Sequence, residues 1–245
     1  MLEWVDIPAG RVILEQGWVF NASSKEPIYS ARPLRTYEVE PFLISKCPVT
    51  VAQYQAFIAD RGYENEQWWQ DLARRYTDPV NIAKVGNRPR TSISWYEAVA
   101  FSRWLSAKLE QRVMLPTEIQ WQRSAQGDDA LEYPWGRIFD QARCNTCESR
   151  IHETTPVDHY PQGQSPFGVF DLSGNVYEWC LNAYDDPSET NISGERTRAC
   201  RGGAFGFSQD RARTAFRTYF SPTFRVGAVG FRVIMCHDTQ LSRSG

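Results

Sequence analysis

The sequence predicts an α+β domain with much irregular structure, and three observations carry the prediction. Three capping boxes each precede an apolar stripe at helical spacing, short extended runs gather at the two ends of the chain, and residues 123–168 are almost all turn signals. At 245 residues the chain is long enough to bury a sizeable core. Aromatic residues make up 13%, with nine Trp, which suits a loop-rich domain stapled by rings better than one built on long aliphatic helices.

Taken in order, Trp4–Pro8, Tyr37–Val39 and Phe42–Ile44 read as one or two early β-hairpins. Thr50-Val-Ala-Gln53 opens a first helix carrying Tyr54, Phe57 and Ile58 on one side, with Gly62 just past its end. Residues 62–91 are polar and aromatic without a period, a long ordered loop. Ser94-Trp-Tyr-Glu97 opens a helix of about 15 residues striped by Ala98, Phe101, Leu105 and Leu109, and Thr117-Glu-Ile-Gln120 opens a third. The turn-rich interval from Arg123 to Gly168 is longer than a compact domain normally leaves irregular, so something must order it. No repeat or linker interrupts the chain; a single domain over residues 1–236 and a frayed tail over 237–245 are expected.

Net charge is -2, which offers no electrostatic footprint for nucleic acid or an anionic membrane. No apolar run approaches a membrane span and the N-terminus lacks the form of a signal peptide, so a soluble, cytoplasmic protein is expected. Six cysteines are too sparse for a disulfide framework. Cys144-Asn-Thr-Cys147 has metal or redox spacing but no second ligand pair nearby, and Cys200 and Cys236 read as edge-strand thiols, paired or free.

The run Pro41–Thr50, then Leu115–Trp121, Pro134-Trp-Gly136, Thr155-Pro-Val157, Ser165–Gly168, Gly174–Trp179, Arg201-Gly-Gly203 and Gly230-Phe-Arg-Val233 resembles the formylglycine-generating-enzyme (sulfatase-modifying factor) superfamily, over nearly the whole chain and in the family's order. The resemblance implies a C-type-lectin-like fold. It leaves function open, because the superfamily holds oxidases, iron-dependent sulfoxide synthases and the variable proteins of diversity-generating retroelements. A formylglycine-generating enzyme would place two copper-binding cysteines where this chain has Phe207 and Ala212, and three histidines (His152, His159, His237) do not suggest an iron site. Neither copper nor iron is expected, and no catalytic residue is assigned.

The variable-protein resemblance accounts for more. Such proteins diversify Asn codons of the form AAY into NNY, in the interval between Gly-Gly and Gly-Phe-Arg-Val. The matching columns here are Gly206, Phe207, Ser208, Asp210, Arg211, Phe216, Thr218, Tyr219, Phe220, Ser221, Thr223, Phe224, Val226, Gly227 and Ala228, all encodable by NNY. Lys, Glu, Gln, Met and Trp, unreachable from AAY, are about a fifth of ordinary composition, so fifteen columns that avoid all of them arise by chance only about a few times in a hundred. Between them stand residues read as framework: Arg213, Ala215, Arg217, Pro222 and Arg225. Five aromatics among small Ser, Thr and Gly have the composition of a paratope; the competing reading makes those rings the core of the last strands.

The expectation is therefore a non-catalytic face over residues 204–228 that binds a protein or other macromolecule, with a formylglycine-generating-enzyme-like oxidase or an undiversified regulatory module as alternatives. Oligomeric state is not legible. Ahead of the face, Asp171, Gly174, Val176 and Glu178 match positions that bind structural calcium in the enzymes this chain resembles, and hard oxygen ligands from one short loop are what calcium takes. Asn145 and Glu148 are weaker candidates for a second site.

Overall fold

The structure, a computed structural model, describes residues 2–14, 18–20, 27–29, 35–77, 79–80 and 86–236. The expected tail lies outside the described residues, as do parts of the first hairpin and of the loop after residue 62.

The chain begins with strands β1 (Trp4–Ile7), β2 (Gly10–Leu14), β3 (Trp18–Phe20), β4 (Pro27–Tyr29), β5 (Arg35–Val39) and β6 (Phe42–Ser45). Trp4 faces Ser45, Gly10 faces Val39 and Trp18 faces Tyr29, all antiparallel. The three pairs are thus nested on one course, a single long interrupted hairpin in place of separate ones.

All three expected helices form: α1 (Val51–Ala59), α2 (Trp95–Leu109) and α3 (Glu118–Gln126), each with both hydrogen bonds of its capping box. α2 is buried far more widely than one stripe, with Trp95, Tyr96, Ala98, Ala100 and Phe101 at most 1% exposed, whereas Leu109 is exposed. The reason is that α2 is packed from several sides. Trp95 donates Nε1 to the Cys180 carbonyl, Phe101 meets Tyr54 of α1 face to face at 5.3 Å, and Arg198 stacks on Trp95 at 3.9 Å. α3 closes the hairpin: the Arg123 guanidinium donates to the Pro8 and Ala9 carbonyls, and Gln122 donates to that of Ile13.

Strands β7 (Val113–Met114), β8 (Tyr177–Ala183), β9 (Arg198–Arg201), β10 (Thr218–Phe220), β11 (Val229–Gly230) and β12 (Ile234–Cys236) complete the molecule. One sheet runs β1-β6-β12-β7, so the last strand closes on the first hairpin, and the second runs β10-β9-β8-β11. β8 is buried along its whole length between its neighbours and the helices.

Between α3 and β8 the backbone is irregular apart from short 3-10 turns, as the sequence implies. Buried amides order it. Asn175 donates Nδ2 to the Thr155 carbonyl and to Asp171 and accepts from the Thr155 N–H, while Asn145 donates to the Glu153 carbonyl and to Asn175. Both asparagines are fully buried, and a buried amide that reaches its partners fixes loop geometry strongly, because leaving it unmet costs about 1–3 kcal/mol.

Candidate functional face

The interval 204–228 opens after Gly202 and Gly203, whose φ values of +95° and +74° few side-chain-bearing residues adopt. A Cβ on Gly203 would lie 2.8 Å from the Arg211 carbonyl oxygen, so the pair lets the chain turn back against its own next loop. From there the segment makes a 3-10 turn at Gln209–Ala212, joins the second sheet through β10 and returns to β11.

Burial divides the interval along the sequence-derived columns. Of the fifteen, none is buried: Gly206, Asp210, Arg211, Ser221, Thr223, Phe224 and Gly227 are exposed and the other eight are half-buried. Of the residues between them, Ala204, Ala212, Thr214, Arg217 and Pro222 are buried and none is exposed. The five rings are neither free nor core. Phe207, Phe216 and Phe220 rest their inner sides on the main hydrophobic cluster, and Phe224, 41% exposed, stacks on Phe220 at 5.0 Å.

Two different sets of atoms hold this face. Among the fifteen columns it is the main chain that is gripped: Cys147 N–H donates to the Phe207 carbonyl, Ser92 to that of Val226 and Tyr177 to that of Ala228, while β10 pairs with β9. Between the columns it is the side chains. Arg217 donates Nε and Nη2 to the buried Glu118 at 2.6 and 2.7 Å, and Arg225 donates Nε to the buried Glu97 at 2.7 Å and lies over the Tyr76 ring. The Pro222 carbonyl accepts from Trp95 at the start of α2. Arg217 and Arg225 thus act as the expected framework, and Arg213 donates to the Asp210 carbonyl.

One column departs from a common face. Tyr219 alternates to the other side of β10 from Thr218 and Phe220 and packs on Tyr184 at 4.7 Å, because neighbouring strand residues point to opposite sides of a sheet. The surface the sequence suggested is therefore split, with Tyr219 behind it. Beneath the face lies Asp171–Trp179, the stretch that the sequence reads as its platform without saying which side chains meet it. Tyr177 and Trp179, on β8, carry Phe220 edge to face at 5.8 and 6.1 Å, and Tyr177 also meets Phe207 at 5.2 Å. The only sequence signal was their alternation in the Val176–Trp179 motif.

At the positions expected to bind calcium, Glu178 is already engaged. Both its carboxylate oxygens are engaged: Arg232 donates Nη2 to one at 2.8 Å and Nε to the other at 2.6 Å, and Trp121 adds Nε1 at 2.7 Å. The charge that balances Glu178 is a guanidinium. The Gly174 carbonyl accepts from Val176 N–H, and Asp171, with φ +55°, accepts from Asn175. Burial pushes the Asp171 carboxyl up to about 7. A carboxylate already ion-paired and a carbonyl already bonded leave fewer free oxygens for calcium. In the second set Asn145 Oδ1 accepts from Ser149 and Glu148 Oε1 accepts from the Gln209 N–H, while Glu148 Oε2 is buried without a hydrogen-bond partner. The Val176 side chain is fully buried, its Cγ2 3.3 Å from where a Cβ on Gly230 would lie.

Thiols do not gather at the face. All six cysteines are free, which corrects the idea of a Cys200–Cys236 pair; Cys200 is buried among apolar groups and burial drives its thiol upward. Cys47 borders a cleft of about 470 Å³, but burial pushes it up to about 12, far from a thiolate at neutral pH.

Solved structures share this architecture. PvdO from Pseudomonas aeruginosa superposes with a TM-score of 0.72 at 23% identity, covering 95% of this chain and 94% of that one. Treponema denticola variable protein 1 gives 0.67 at 20%, covering 93% and 94%. The fold is the C-type-lectin-like α+β fold. Among curated relatives, a hercynine oxygenase of Mycolicibacterium thermoresistibile is 28% identical over 251 residues, 87% of this chain and 55% of its own length. The inactive C-alpha-formylglycine-generating enzyme 2 of Mus musculus is 26% identical over 277 residues, 93% and 84% respectively. The chain spans about half the length of the first of these. No helix among the described residues is long and apolar enough to cross a membrane. Residues 2–236 match the Sulfatase-modifying factor enzyme 1-like domain, and the chain belongs to that family.

Proposed function

We propose that the chain is a non-catalytic ligand-binding protein whose residues 204–228 are the diversified face of a retroelement variable protein. The observation that carries this reading is the contrast within the interval: none of the columns open to NNY is buried and backbone hydrogen bonds anchor several of them, while Arg217 and Arg225 between them pair with buried glutamates. A face built that way accepts new side chains with limited repacking, because its backbone bonds and its Arg217 and Arg225 ion pairs do not depend on what varies. The variable protein of Treponema denticola shares the fold, and at 20% identity that likeness supports the scaffold alone.

The relatives' names also raise oxidation. On this chain the positions that the family resemblance would give to reactive cysteines are Phe207, edge to face with Tyr177, and Ala212, fully buried, and neither can ligate copper. Sequencing the DNA around the coding segment tests the proposal. A near-copy of codons 204–228 with adenines at the fifteen columns, close to a reverse transcriptase, is the expected result. An isolated gene without such a copy would overturn diversification, and copper-dependent oxidation of a Cys-containing sulfatase peptide would replace the reading with catalysis.

A further inference from the structure

Two donors on the face find no acidic partner among the described residues. Tyr177 is 1% exposed, and with only the Arg211 guanidinium, itself a donor, beside its hydroxyl, the phenol proton has no acceptor, an arrangement that is rare for a buried phenol. Above it the Arg211 guanidinium is exposed, lies 5.0 Å from the centre of the Phe207 ring and 5.9 Å from that of Phe216, and has no carboxylate within ion-pair distance among the described residues. The framework arginines differ in this respect: Arg217 and Arg225 are both matched to a buried glutamate. Burial pushes the Tyr177 hydroxyl up to about 12 against the pull of Arg211 beside it, so it keeps its proton at neutral pH and can only gain from an acceptor.

We propose that Arg211 and Tyr177 form a subsite for a carboxylate on a protein ligand, Arg211 meeting it at the surface and Tyr177 donating from below as the Phe207 ring turns aside. A planar guanidinium suits a two-oxygen acceptor, and the ring stack holds it in place before binding. A polyanion is a poorer match, since the chain carries a net charge of -2 and the neighbouring framework cations are already paired. The subsite rests on the reading of this interval as a binding face, and it names what the present variant selects.

The test is selection of a phage-displayed library of random 12-residue peptides on the full chain, on Arg211→Ser and on Tyr177→Phe. The wild type is expected to enrich Asp and Glu at one peptide position at least threefold, and a selected acidic peptide should bind Arg211→Ser about tenfold more weakly. Tyr177→Phe should weaken that peptide about threefold and leave thermal stability unchanged or higher, because it removes an unmet polar group. Enriched peptides without acidic residues, or equal binding by all three proteins, would overturn the subsite and leave the face. Failure of the folded wild type to enrich any sequence would overturn the face itself. A marked loss of stability in Tyr177→Phe would show the hydroxyl to be a structural group and would also overturn the subsite.

Discussion

Glu118→Gln perturbs the anchor of the display segment at its centre. Glu118 is fully buried at the start of α3 and accepts from Arg217 Nε and Nη2, from Arg201 Nη1 at 3.2 Å and from Asn182 Nδ2 at 3.0 Å. Arg201 is itself fully buried, and burial pulls its guanidinium down while Glu118 holds it up. Glutamine keeps the shape and removes the charge, leaving two buried guanidiniums facing a neutral amide. Breaking a buried pair in this way costs about 3–5 kcal/mol. For a domain of this size each kcal/mol lowers Tm by roughly 2–4 °C, so the variant should melt about 10 °C below the wild type. Thermal unfolding followed by near-UV circular dichroism at pH 7 reads the shift, with Phe224→Ser as the comparison. That ring is exposed and should cost under about 1 kcal/mol. A Glu118→Gln shift below about 3 °C, or one no larger than that of Phe224→Ser, would refute the view that framework side chains hold the face.

Two further predictions concern the platform. The Asp171 carboxyl ionises near 3.8 when unfolded and at about 7 in the fold, raised first by burial, with Asn175 and Arg232 opposing and Glu178 and Asp158 assisting. The folded state therefore favours the proton, and stability falls as pH climbs from about 4 to about 7, by at most about 4 kcal/mol at about 1.4 kcal/mol per pKa unit. Asp171→Asn should flatten that fall, since Asn tolerates the left-handed backbone there; a Tm difference between pH 5 and pH 8 as large as the wild type's would contradict this. The second concerns calcium: because Arg232 balances Glu178, neither EDTA nor millimolar calcium should move Tm by more than about 1 °C. A rise of several degrees with calcium would restore the site.

What was legible in the sequence was local. A capping box is a contact between residues three apart, and each of the three, at Thr50, Ser94 and Thr117, stands where the spacing put it. The burial contrast in residues 204–228 follows the codon pattern for another reason: that pattern sorts side chains by what an AAY codon can reach, whatever they touch. What escaped was non-local. Glu178 looks like a free ligand until Arg232, 54 residues on, closes on it, and Glu118 meets Arg217 across 99 residues. Tyr219 could be assigned a side only once β10 was known to be a strand paired with β9. The irregular half was expected to need something to order it, and two buried asparagines that no spacing rule singles out bridge its loops.

The most direct measurement compares two libraries of this chain by survival of proteolysis on a display host. One randomises the fifteen columns to NNY; the other randomises the buried positions Ala204, Ala212, Thr214, Arg217 and Pro222 in the same way. Although it changes three times as many residues, the first should keep the larger fraction of resistant clones, since surface changes stay mostly within about 0.5 kcal/mol and buried ones do not. Loss of resistance in the first library to the level of the second would mean that the rings at 207, 216, 220 and 224 hold the domain together, and the face would be core.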